Sequence, residues 1–224
     1  MIPVVALVVA KAPVPGLAKT RLAASIGDRA AADIAAAALL DTLDAVASAP
    51  VQARVVAMTG DLDAASASEE IRTRLEAFTV VPQRGDTFAD RLANAHIDAA
   101  AAAGNRRVLQ IGMDTPQVSA EMIVECALEL VGTGAVLGLA DDGGWWVLGV
   151  SDAAMADCLR AVPMSRLDTG ALTLAALYGK GIDVTRVAEL ADVDTIDDID
   201  AVRRACATDS RFARATAAVR AVGA

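Results

Sequence analysis

The chain has 224 residues, of which 55% are apolar and only 3% aromatic, with 29 acidic side chains against 20 basic ones. That length fits one α/β domain and supplies ample core material, much of it alanine, which favours helix and close helix–sheet packing over bulk. A formal net charge of −9 argues against a general nucleic-acid-binding surface, because a polyanion is repelled, but leaves room for one local basic pocket.

The β-branched, apolar run 4–10 reads as a buried first strand. Directly after it comes Lys11-Ala-Pro-Val-Pro-Gly-Leu-Ala-Lys-Thr-Arg-Leu22, with two prolines, a glycine and three basic side chains. In open α/β sheets the carboxyl end of a strand is where ligands bind, so a basic loop there points to an anionic small molecule, phosphate first. A P-loop reading fails, because Pro13 and Ala18 stand where both glycines are required. Helical spacing follows over 29–48, then a strand over 53–58, a helix over 69–76, a strand over 78–81 and a helix over 87–103. A strand over 107–111 and a helix over 119–131 come next. Thr87 with Asp90, and Ser119 with Glu121 in the first turn, are helix-start signals. This alternation implies right-handed crossovers, a mainly parallel central sheet and a three-layer α/β/α architecture. With no Pro/Ser-rich linker and no internal repeat, one domain is expected.

The alternation breaks after 140. Asp141-Asp142-Gly143-Gly144 joins strand-like runs at 135–140 and 145–150 with hardly any spacer, so an antiparallel hairpin replaces the crossover. Trp145 and Trp146 follow at once and must face opposite sides of a strand, one entering the core and the other a cleft or the far face. A plain turn with core tryptophans and a functional turn are both consistent with this stretch.

Two acidic segments carry candidate chemistry. Asp114 lies at the carboxyl end of 107–111 and shares a rim with the basic loop if the two strands are parallel neighbours. A carboxylate facing phosphate calls for a divalent cation between them, although an Asx turn before Pro116 accounts for Asp114 equally well. Asp192 and Asp194 alternate in an extended segment and could face one site or be solvated loop acids. Thr195 with Asp198 reads as a capping box.

The remaining features are plain. Cys126, Cys158 and Cys206 lack C-x-x-C spacing and read as buried free thiols. His96, the only histidine, falls in a helix and suits a core or helix-surface place, and the basic residues of 204–220 suit a solvated face of a terminal helix. The run 2–10 has no basic flank, is interrupted by Pro3 and is too short to span a bilayer, so a soluble cytoplasmic protein without a membrane span is expected.

Five blocks, in order, carry a resemblance: Lys11-x-Pro-x-Pro-Gly-x-x-Lys-Thr-Arg-Leu22, Gln83-Arg-Gly-Asp-x-x-x-Asp-Arg-Leu92, Ile111-Gly-x-Asp-x-Pro116, Asp142-Gly-Gly-Trp-Trp-Val-Leu-Gly149 and Asp192-Val-Asp-Thr195. The chain resembles the bacterial selenodomain-associated transferases of glycosyltransferase-A, Rossmann-like fold, within the nucleotide-diphospho-sugar transferase superfamily. Phospholactate guanylyltransferase and molybdenum-cofactor guanylyltransferase are their structural kin. The resemblance implies a catalytic domain over 1–203 and a C-terminal helix over 204–224 packed on it. It implies catalytic roles for Lys19, Arg21 and Asp114, and nucleotide binding by Lys11, Pro15, Gly16, Lys19, Thr20, Arg21, Gln83 and Arg84. It implies Mg²⁺ or Mn²⁺ on Asp114 with Asp194, or with Asp192, and an acceptor pocket shaped by Asp142, Gly143, Gly144 and Trp145. Met113 stands where kin often carry Ser or Thr, Trp145 where they carry Tyr, and 163–169 where they often carry tryptophan. The implied reaction is glycosyl transfer from a nucleotide-sugar to a small acceptor. The alternatives are nucleotidyl transfer from a nucleoside triphosphate to a phosphorylated acceptor, and a non-catalytic nucleotide-binding module. The implied partners are the donor and the small-molecule acceptor, with no nucleic acid and with a homodimer admitted.

Overall fold

β1 (Ile2–Lys11) is the centre of the molecule, with residues 4–10 buried on both faces. In the computed structural model, which describes residues 1–219, β1 pairs in parallel with β2 (Val51–Thr59) on one side and β4 (Val108–Gly112) on the other. β3 (Thr79–Pro82) extends the β2 side, while β6 (Trp145–Val150), β5 (Ala135–Leu139) and β7 (Val184–Arg186) extend the β4 side, giving a seven-stranded order β3-β2-β1-β4-β6-β5-β7. β6 is antiparallel to both its neighbours, as expected of a hairpin strand, and the other pairings are parallel.

Helices cover both faces, completing the three layers. One core lies between the sheet and α2 (Asp28–Ser48), α3 (Ser68–Leu75) and α5 (Ala120–Gly132). The opposite core joins α4 (Phe88–Ala103), a 3₁₀ helix (Ala153–Ala161) and α6 (Thr169–Gly179) to the other face. The alanines of α2 let it sit flat on its neighbours, with a third core formed by α1 (Thr20–Ile26), α7 (Ile199–Ala205) and α8 (Arg211–Thr216) against its outer side. Thr87 and Asp90 form the reciprocal cap of α4, and Ser119 caps α5 through the Met122 amide. All three cysteines are buried and free, and His96 lies wholly in the core. Among the described residues no helix is long and apolar enough to cross a membrane.

The sequence expectations need four corrections. α1 begins inside the basic motif, so Thr20, Arg21 and Leu22 are helical and Lys19 is the residue that precedes them. The 3₁₀ helix, α6 and the three-residue β7 carry too little periodicity to be read beforehand. α7 starts only at Ile199, so the Asp198 carboxylate accepts from the Asp194 and Thr195 amides (3.0 and 2.7 Å) and shapes the 192–195 bend instead of capping a helix that starts at Thr195. The C-terminal segment is broken rather than one helix over 204–224: α7 ends at Ala205, and the Asp41 carboxylate accepts from the amides of Arg211 and Phe212 to start α8 anew. Arg220 and the residues after it lie outside the described residues.

Phe212 is fully buried between α2 and α8. Phe212→Ala should cost about 3–5 kcal/mol, lowering the thermal midpoint by roughly 10 °C in circular dichroism. A shift below about 2 °C would show that α8 is not secured by this core.

Candidate active site at the carboxyl rim of β1 and β4

The chain runs from β1 outward through β2 and β3, then returns to the other side of β1 for β4. The direction of strand order therefore reverses between β1 and β4, the place where open α/β sheets form a ligand crevice. A cleft of about 390 Å³ opens there, large enough for a nucleotide-sized or smaller ligand. Lys11, Gln83, Asp114, Asp142, Gly144, Trp145 and Asp192 line it. Arg21 and Asp194 line an adjoining polar compartment, which shares Asp142, Ser165 and Arg166 with the first.

Lys19 organises the rim. Its ammonium lies 2.9 Å from Asp114 Oδ2 and 3.1 Å from Asp194 Oδ1, and its side chain is only 9% exposed. Arg21 adds a second contact, 3.1 Å to the other Asp194 oxygen. Burial works against the Lys19 charge, but the charges of Asp114 and Asp194 outweigh it and hold the ammonium well above the usual lysine range. Lys19 has left-handed backbone angles (φ 46°, ψ 50°) at the start of α1, a geometry that costs on the order of 1 kcal/mol for a residue with a Cβ. The two ion pairs hold it in that conformation. The Asp114 carboxylate thus faces Lys19, and makes no Asx turn among the described residues.

The 188–195 segment is carried to the rim by the hairpin. The Trp146 indole nitrogen donates to the Ala188 carbonyl (2.8 Å), Asp141 N donates to Leu190 O (3.1 Å) and the Gln117 amide donates to Ala191 O. Asp192 and Asp194 then join Asp142, with one carboxylate oxygen from each lying within 4.8 Å of the others. Asp142, expected in the acceptor pocket, is therefore part of this acidic cluster, while Asp114 is linked to it through Lys19. Burial raises the Asp192 carboxyl to about 7, and the negative charges of Asp142 and Asp194 add to the effect. Carboxylates gathered this closely offer hard oxygen ligands of the kind that suit Mg²⁺ or Mn²⁺.

The turn before Trp145 is shaped by close approach. A Cβ at Gly143 (φ +86°) would lie 1.9 Å from the Leu167 carbonyl oxygen, and the Gly170 amide donates to Gly143 O at 2.7 Å. The 163–170 loop is thereby pressed onto the hairpin. The two tryptophans diverge as expected, with Trp146 buried in the core and Trp145 partly exposed at the cleft. Gln83 donates to the carbonyls of Ala10 and Ala57 (2.8 and 2.9 Å), tying its amide to the ends of β1 and β2.

Other expected residues stand apart. Arg84 is held by both oxygens of Asp98 (2.8 Å each), away from the cleft lining. Pro15, Gly16 and Thr20 are also outside that lining, and the Lys11 ammonium donates to Leu17 O (2.9 Å) within its own loop. The sequence reading missed Phe88, Arg91, Gln110, Met164 and Arg166, all cleft residues. Phe88 and Arg91 fall within the second matched block, where a cleft-facing α4 start was the available signal. Gln110, polar in the middle of an apolar strand, was another.

The three layers and the seven-stranded, mostly parallel sheet with its antiparallel β6 match in fold a solved structure described as a nucleotide-diphospho-sugar transferase. The chain belongs to the family described as "Uncharacterized protein conserved in bacteria (DUF2064)", whose model matches residues 42–166. Among solved structures it is similar to a candidate nucleotide-diphospho-sugar transferase from Desulfovibrio desulfuricans G20, with 24% identity over 98% of this chain and 97% of that one and a TM-score of 0.84. It is also similar to the 4-diphosphocytidyl-2C-methyl-D-erythritol synthase of Anaerococcus prevotii DSM 20548 (15% identity, 89% and 93% covered, TM-score 0.58). A third likeness is to Rv0371c of Mycobacterium tuberculosis H37Rv in complex with manganese (18% identity, 89% and 97% covered, TM-score 0.54). These likenesses establish the shared fold. No curated protein matches the sequence.

The raised Asp192 carboxyl has a consequence for stability. With a folded value of about 7 against an ordinary carboxyl value of about 4, the native state keeps a proton that the unfolded chain has lost. Stability from this group is therefore present at low pH and lost as pH rises from about 4 to 7, levelling above. In metal-free buffer, Asp192→Asn should abolish that part of the slope and raise the thermal midpoint at pH 8. Identical pH profiles for the two proteins would show that Asp192 is not crowded by its neighbours.

Proposed function

We propose that the protein is a metal-dependent transferase that uses a nucleotide donor and moves a glycosyl group from a nucleotide-sugar to a small acceptor. The observation that carries this reading is the convergence of Asp142, Asp192 and Asp194 beside Lys19, which bridges Asp114 and Asp194. The likeness to the Desulfovibrio protein over nearly the whole of both chains favours a nucleotide-sugar donor.

Asp142, Asp192 and Asp194 are the residues that would hold Mg²⁺ or Mn²⁺, with Asp114 close by. When bound, the cation supplies neutralisation of the donor diphosphate charge. Lys19 and Arg21 exchange their carboxylate partners for phosphate oxygens and stabilise charge on the departing nucleoside diphosphate. Lys11 approaches the same phosphates from the loop that Pro15, Gly16 and Thr20 shape. Gln83 borders the nucleotide, and Arg84 contributes from the outer rim. Gly143, Gly144 and Trp145 wall the acceptor side. An acceptor hydroxyl forms the new bond to the anomeric carbon as the bond to the diphosphate oxygen breaks with its electron pair, and the hydroxyl proton passes to the departing diphosphate. No nucleophilic side chain is needed, because alignment and charge neutralisation carry the step. In this reading residues 1–203 are the catalytic unit, the segment from 204 buttresses it, and the protein works in the cytoplasm, alone or as a homodimer.

A second reading, nucleotidyl transfer of guanylyltransferase type, is favoured by the Lys-Thr-Arg motif and by the cytidylyl-transfer product named for the Anaerococcus protein. There an acceptor phosphate attacks the α-phosphorus and pyrophosphate leaves. A thermal-shift panel of nucleotide-sugars and nucleoside triphosphates with Mg²⁺ or Mn²⁺ tests both. One donor should stabilise the fold by about 2–4 kcal/mol at saturation, and Asp194→Ala should remove the metal-dependent part. Release of nucleoside diphosphate marks the first reading and pyrophosphate the second. No shift with any nucleotide overturns both.

A further inference from the structure

Around the cleft, two cations have no carboxylate partner among the described residues, Lys11, whose ammonium donates to the Leu17 carbonyl (2.9 Å), and Arg91. Lys19 and Arg21 are paired with aspartates, and Arg166 is paired with Asp168 (2.9 and 3.1 Å). Arg91 lines the cleft with no carboxylate within ion-pair distance among the described residues, and its Nε is buried without a partner. The acids of its own helix are already taken: Asp90 is bonded to Arg160 (2.8 Å) and Asp98 to Arg84. In a chain with a surplus of nine negative charges, an arginine left this way in a cleft has spare, directional donors. A guanidinium fork matches a phosphate or carboxylate.

The surroundings say more. The Arg91 guanidinium stands 5.7 Å over the Phe88 ring, which holds it without consuming its donors. Leu92, Trp145 and Met164 add apolar wall, and on β4 Gln110 lines the floor with a carbonyl oxygen that has no partner. Arg21 and Asp194 line the neighbouring polar compartment and Arg91 does not, while Gly144 and Trp145, assigned to the acceptor side, line the cleft with Arg91.

We propose that Arg91 is the anion-binding residue of an acceptor subsite, and that the acceptor is a small molecule with an apolar body carrying a phosphate or carboxylate group. This rests on the transferase reading for the word acceptor, but the anion subsite stands on its own geometry. Benzyl phosphate, phenylacetate and benzyl alcohol serve as probes, followed by quenching of tryptophan fluorescence, since Trp145 borders the subsite. The wild-type protein should bind the two anions about tenfold more tightly than the alcohol. Arg91→Met should lose that preference and Arg91→Lys keep part of it, with unchanged thermal midpoints and unchanged affinity for a nucleotide with Mn²⁺. Equal binding of all three probes, or a preference retained in Arg91→Met, overturns the proposal. So does an equal loss of nucleotide affinity in that variant, which would assign Arg91 to the donor. Arg91-dependent anion binding with no nucleotide binding at all would instead sustain the subsite and sink the transferase reading.

Discussion

A lysine ammonium held between Asp114 and Asp194 joins three segments that are far apart in sequence: the loop after β1, the loop after β4 and the stretch before α7. Its burial makes the arrangement demanding, since removing either partner from a desolvated ion pair leaves an uncompensated charge. The left-handed backbone at Lys19 and the start of α1 adjoin that anchor, and Arg21 reaches the other Asp194 oxygen. Without it the basic loop would have no fixed relation to the acids opposite.

The same rim gathers several carboxylates. The hairpin turn supplies Asp142, while contacts to Ala188, Leu190 and Ala191 deliver Asp192 and Asp194. One acid, Asp192, is raised to about 7, chiefly by burial and further by the charges of Asp142 and Asp194. Lys19 offsets part of the surplus. A site that uses an internal ammonium to balance carboxylates is prepared to trade that ammonium for an external cation, once phosphates offer the lysine another partner. In the proposed reaction the basic loop would act as a switchable counter-ion as well as a phosphate grip.

Much of this was legible in the sequence because the signals were local. The β-branched runs at 4–10 and 107–111 place Lys11 and Asp114 at strand ends, and Thr87 and Ser119 announce their helices through side-chain caps. Asp142-Gly143-Gly144 announces the hairpin, and the need for glycine at Gly143 has its cause in the Leu167 carbonyl, a contact no local pattern encodes. What stayed hidden depends on distant partners. The pairing of Arg84 with Asp98, fourteen residues on, is not announced by any local pattern. Asp198 looks like a capping residue until the bend at Asp194 captures its carboxylate. The assignment of Asp142 to the acidic cluster needed the C-terminal segment folded back across the sheet.

The exchange of Lys19 for an external cation is tested most directly by calorimetric titration of Mn²⁺ into the wild-type protein and Lys19→Met, each with and without a nucleoside diphosphate. The diphosphate should tighten Mn²⁺ binding to the wild type by about tenfold, because it draws Lys19 away from Asp114 and Asp194. In Lys19→Met, Mn²⁺ should bind tightly without the diphosphate and gain little from it. Equal Mn²⁺ affinities in the two free proteins, with the same gain from the diphosphate, would contradict the account.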